Sequence, residues 1–171
     1  MRIVKGFFAG DVDFTGRYYR VDLPAAGPPV TTPPILSAAL AGPVAMRTVG
    51  PLVDIIEIST PGFAFRKGRA NMRACGATTL DDLQRLVERA RTANAGASIG
   101  LSLYVATGEG EGVELWRRLF EDGCYKGLAG EPEEVADAIR AFDRLGVDRI
   151  TVMPPFEGTA EALAPHLLGV R

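Results

Sequence analysis

The run Pro34-Ile35-Leu36-Ser37-Ala38-Ala39-Leu40-Ala41-Gly42-Pro43 is where the chain offers chemistry most directly. A short apolar strand empties there into a turn of small residues and then into a helix that opens on proline. The first N–H groups of a helix have no intrahelical acceptor, and with the positive end of the dipole they favour a phosphate or carboxylate. Small residues let such an anion approach the main chain, and Pro43 suits the first helical position, where a missing N–H costs nothing. An ordinary strand-to-helix turn uses the same residues. A second cationic feature is the long loop from Gly62 to Gly76, whose Arg66, Lys67, Arg69 and Arg73 would form either an anion clamp or a solvated surface.

Other reactive side chains are few. Cys75 and Cys124, with His166 as the single histidine, lack the spacing of a zinc set or a disulfide framework, so no metal site is expected. Asp54 opens a strand and reads as a cap or a salt link. Glu109, Glu111 and Glu114 read as the polar side of a helix start rather than as paired catalytic carboxylates. Trp116 and Phe120 stand at helical spacing, as core residues do. No nucleophile–base pair declares itself, and no catalytic residue is assigned.

With 171 residues, 47% of them hydrophobic, the chain suffices for one core. A net charge of −2 with interleaved signs gives no footprint for nucleic acid or a membrane surface. Lys5, Asp11 and Asp13 interrupt the apolar start, so it does not read as a signal peptide, and no run approaches the length of a membrane span. The cysteine usage predicts a reducing, cytoplasmic setting.

The first residues read as an amphipathic helix stopped near Gly10, and Thr15-Gly16 as the turn of a hairpin. Prolines between 24 and 34 make an extended connector. Then short apolar runs, Ile35–Leu40, Val53–Ile58, Ile99–Val105 and Ile150–Met153, alternate with amphipathic helices, as parallel strands do when helices cross over between them. Leu83, Leu86 and Val87 mark a helix that Thr79 and Asp82 would cap. Val113, Trp116 and Leu119 mark another. Val135, Ile139, Phe142 and Leu145 mark a third, from Pro132 to Gly146, and Leu163 and Leu167 a last one bearing Pro165.

Three blocks together resemble the luciferase-like monooxygenases, flavin- or coenzyme F420-dependent oxidoreductases built on a (β/α)8 barrel. They are Phe14 to Val21 with the proline-rich approach to Ile35-Leu36; Ala38 to Gly50 leading into Val53-Asp54-Ile55-Ile56; and Gly127 to Ala136 running through Leu145 to Ile150. Their order and spacing are similar to the C-terminal half of that family. The chain departs from it at Leu40-Ala41, where the family has a glycine-richer turn, at the residue after Asp54, and at Glu131, where Ser or Thr is usual.

The resemblance implies a single α/β domain over 1–171. Residues 1–33 would hold the helix end, hairpin and proline-rich connector, and 34–171 four βα units, a parallel (βα)4 half of a TIM-type barrel. A full barrel takes about 250 residues, and the family's first four strands, with most contacts to the reactive ring, have no counterpart here, which implies a truncated member. The cofactor phosphate would sit on the amides of Ala39, Leu40, Ala41 and Gly42, with Ser59 and Thr60 at the next strand end and Lys67 as a point charge. The expected function is hydride transfer to, or monooxygenation of, a small organic substrate with coenzyme F420 or FMN. The alternative is a non-catalytic phosphate- or cofactor-binding module acting through oligomerisation. Open barrel edges predict a homo-oligomer.

Overall fold

The computed structural model describes residues 1–24, 27–32, 34–59, 76–120 and 122–168, with the backbone of 65–66 and 69–70. Arg2–Ala9 forms helix α1, ended by Gly10 in a left-handed conformation (φ 97°) that glycine adopts without steric cost. Val12–Thr15 (β1) and Arg20–Leu23 (β2) form an antiparallel hairpin, Phe14 facing Val21, but its turn spans 16–19 and not Thr15-Gly16, because Thr15 still pairs with Arg20 and the Gly16 N–H donates to the Tyr19 carbonyl. Ser37–Leu40 (β3), Pro43–Val49 (α2), Ile55–Ser59 (β4), the short pair Phe65–Arg66 (β5) and Arg69–Ala70 (β6), and Leu80–Ala93 (α3) follow. Ser98–Tyr104 (β7), Ala106–Thr107 (β8), Glu111–Leu119 (α4), Ala129–Gly130 (β9), Pro132–Arg140 (α5), Arg149–Met153 (β10) and Thr159–Leu168 (α6) complete the chain order.

β3, β4, β7 and β10 form one parallel sheet in the order β10-β7-β4-β3. Chain order equals spatial order, and helices flank the sheet, an arrangement compatible with half of a (β/α)8 barrel. Both strand starts expected at Ile35 and Val53 come later. The Asp54 carboxylate accepts from the Leu36 N–H at 2.8 Å, and the Leu36 carbonyl accepts from the N–H groups of Asp54 and Ile55, so the ladder opens only beyond them. Asp54 therefore ties two strand starts together.

The register separates the faces of the sheet. Ala38, Ile56 and Ile99 align, as do Leu40, Ile58 and Leu101, and this side carries the core with Leu83, Leu86, Val87 and Ala90 of α3 and Val135 and Ile139 of α5. Capping holds α3 at its start: the Thr79 hydroxyl accepts from the Asp82 N–H, and the Asp82 carboxylate accepts from the Thr79 N–H. The helix expected from Pro132 to Gly146 tightens into a 3-10 turn over Ala141–Leu145 before Gly146 ends it (φ 67°). Glu131 precedes Pro132 without a side-chain capping bond, as a glutamate there should.

The β8–β9 pair was not legible in the sequence, because Ala129-Gly130 is too short to show a strand pattern. Val105 donates to the Met153 carbonyl, whereas Ala106 and Gly108 donate to Leu128 and Gly130. Successive N–H groups of a strand point to opposite edges. β9 thus takes up, further along, the edge that β4 occupies beside β7.

Candidate functional site

The face of the sheet turned away from α3 and α5 is polar, and that is where the structure gathers side chains able to do chemistry. Across it the register aligns Ala39, Glu57, Gly100 and Arg149 in one row, and Ser59, Ser102 and Thr151 in the next row toward the C-terminal strand ends. Tyr104 and Met153 follow. Glu57 lies at the centre, its side chain only 12% exposed. One carboxylate oxygen accepts from Ser102 Oγ at 2.7 Å, and the other accepts from Arg149 Nη2 at 2.9 Å and Nε at 3.3 Å. A Cβ at position 100 would overlap the Glu57 carboxylate, so glycine leaves the room in which the carboxylate lies across β7.

Both oxygens of Glu57 are engaged, so this carboxylate holds Arg149 and Ser102 in place across the face. The hydroxyl row above it suits hydrogen bonding to a polyol or phosphate chain. Sequence reasoning missed Glu57, although its signal was present: a lone carboxylate amid Ile55-Ile56-Glu57-Ile58, in a run otherwise fit for a buried parallel strand.

The expected phosphate turn is only partly a turn. Ala39 and Leu40 belong to β3, and the Leu40 side chain is in the core, so Ala41 and Gly42 alone lead into α2. Gly42 is extended (ψ 147°), no side chain caps it, and a Cβ there would meet no atom within 4 Å. Its carbonyl accepts from Met46, and Pro43 stands at the first helical position. Ser59 ends β4 on the polar face, half-buried. Thr60 and Lys67 lie outside the described residues, as do Arg73, Cys75 and the side chains of Arg66 and Arg69.

The remaining candidates are distributed as follows. Cys124 is buried. Trp116 packs edge-on against Tyr104, Phe120 and Phe156 at ring separations of 5.6, 4.8 and 6.2 Å, which makes this stripe a packed aromatic cluster, as expected. His166 is exposed on α6, and its carbonyl accepts from Arg140. Glu114 pairs with Arg117 along α4. Among the described residues no group of three His, Cys, Asp or Glu side chains could hold a metal ion. A cavity of about 430 Å³, lined by Lys5, Phe8, Pro29, Pro34, Leu36 and Asp54 among others, lies at the opposite, N-terminal end of the sheet.

No protein-family model matches this chain, and no curated protein matches it. None of the described helices is long and apolar enough to cross a membrane.

Beside the site, Asp148 fixes the entry to β10. Its carboxylate accepts from the Ile99 N–H at 2.6 Å and from Arg91 at 2.9 Å, and Arg91 also donates to the carbonyls of Ala97 and Gly146. The Ile99 N–H, assisted by the Arg91 charge, holds the Asp148 carboxyl below its ordinary range. This clamp sets the β7–β10 register and with it the place of Arg149 opposite Glu57.

Proposed function

We propose that this chain is one arc of a luciferase-like oxidoreductase barrel. It would bind coenzyme F420, or alternatively FMN, for hydride transfer to or monooxygenation of a small organic substrate. The observation that carries the reading is the pairing of a sequentially ordered parallel sheet with a polar face that rises to an uncapped small-residue turn at the C-terminal strand ends. That is the end at which such folds bind ligands. Ala41 and Gly42 would offer amides to the cofactor phosphate, and Ser59 a hydroxyl, while Ser102 and Thr151 extend the hydrogen-bonding row toward Glu57. The bound cofactor would supply the redox chemistry, and the chain position and electrostatics.

The second reading, a non-catalytic module that retains only the anion turn, is favoured by one fact: both oxygens of Glu57, the carboxylate at the centre of the polar face, are already engaged by Ser102 and Arg149. Titration with FMN, with F420 and with inorganic phosphate separates the two. The oxidoreductase reading predicts saturable changes in ring absorbance, and the module predicts binding of phosphate with no preference for a ring. Failure of all three ligands to bind at millimolar concentration overturns both.

A further inference from the structure

We propose that two copies of this chain close on one another into an eight-stranded parallel barrel. β10 of each copy pairs with β3 of the other, so that the face bearing Glu57, Ser102 and Arg149 becomes the lining of a shared interior. The inference rests on the half-barrel geometry behind the proposed function and not on the cofactor. Its first ground is the main chain. The Leu36 carbonyl accepts from Ile55, so alternation turns the N–H and C=O groups of Ser37 and Ala39 away from β4. The Met153 carbonyl accepts from Val105, so those of Ile150 and Val152 turn away from β7. Among the described residues nothing pairs with these groups on either edge. An unpaired strand edge is a ready template for pairing with another chain unless something blunts or covers it.

The second ground is the side chains along the β3 edge. α1 buries none of its residues, leaving Phe7 53% exposed, while Ile35 just before β3 is 73% exposed and Val44 just after it 62%. Phe8 of α1 lines the same cavity as Pro34 and Leu36, so this apolar strip is continuous with the free edge. The third ground is charge. Glu57 and Arg149 are already paired within each copy, so closure encloses no uncompensated charge, which would otherwise be costly. A partner offering a single strand would satisfy one edge and leave the other. A two-fold axis along the barrel satisfies both with one contact made twice. The row Ala39–Glu57–Gly100–Arg149 alternates small and large, and the next copy's Ala39 after Arg149 continues that alternation.

Light scattering on the purified chain should give twice its mass of 18.2 kDa. The substitution Ala39→Pro removes an edge N–H that does not face β4, and should halve the particle mass while cooperative unfolding persists. Amide hydrogen exchange on the unmodified protein decides the matter even if that variant does not fold. Ser37, Ala39, Ile150 and Val152 should all exchange at least tenfold more slowly than exposed amides. A monomer overturns the proposal, as does a dimer whose β3 or β10 amides exchange freely, and as does protection conferred only by a different protein supplying the missing arc. A dimer that ignores FMN and F420 sinks the cofactor reading alone, whereas a monomer that binds either sinks closure alone.

Discussion

Glu57 is the residue whose removal says most about the polar face. Glu57→Gln keeps the shape and the Ser102 bond but withdraws the charge that faces Arg149. Because Arg149 is about half exposed, with 45% of its side chain open to solvent, the expected loss is about 1 kcal/mol, the upper end for solvent-exposed ion pairs. Urea denaturation measures it, and unchanged stability would contradict the network. Gly100→Ala pushes against the same side chain, so its cost should largely vanish in the Glu57→Ala background, where the carboxylate is gone. Additive costs would mean that the glycine serves the backbone alone.

Asp148 is expected to report on pH. Its folded-state pKa is lowered, so its contribution is present above the ordinary carboxylate range and disappears as pH falls through the lower, folded value. Asp148→Asn should therefore be less stable than the parent at pH 7, by about 1 kcal/mol. Denaturation series at stepped pH should show the difference shrinking below about pH 4. A gap that persists undiminished in acid would remove the carboxylate from the account of the β7–β10 register.

The elements differ in how openly the sequence announced them. The α3 start was fully legible, since Thr79 followed three residues on by Asp82 is a local device that needs no tertiary partner. Thr79→Ala should cost about 1 kcal/mol, read as a lower midpoint of thermal unfolding. No shift would mean that packing alone holds the helix. The four strands of the sheet were legible as apolar runs, but not where they begin: Ile35 and Val53 are apolar enough for strands, and only the Asp54–Leu36 bond shows why pairing starts later. Glu57 was hidden by the converse logic, because its partners lie 45 and 92 residues away and no local pattern records them. Ala39 and Leu40 lay within the strand expected over Ile35–Leu40, and β3 does run through both, so of the four amides that the resemblance assigns to a phosphate only those of Ala41 and Gly42 lie beyond the strand.

At the scale of the whole molecule, an ordered parallel sheet whose apolar face packs on α3 and α5 leaves a polar face and two strand edges to be accounted for. A barrel accounts for all three: its interior takes the polar face, its closure the edges, and its rim the turn at Ala41-Gly42. Fold alone does not fix function, so the cofactor must be tested at the turn itself. The most direct measurement is a fluorescence titration of F420 and of FMN, run side by side on the parent chain and on Gly42→Glu. The substituted side chain enters open space and sets a negative charge where the cofactor phosphate would lie. The account predicts saturable binding by the parent and a dissociation constant raised at least tenfold, about 1.4 kcal/mol, in the variant. Equal affinity in the two proteins, or no binding by the parent, would contradict it.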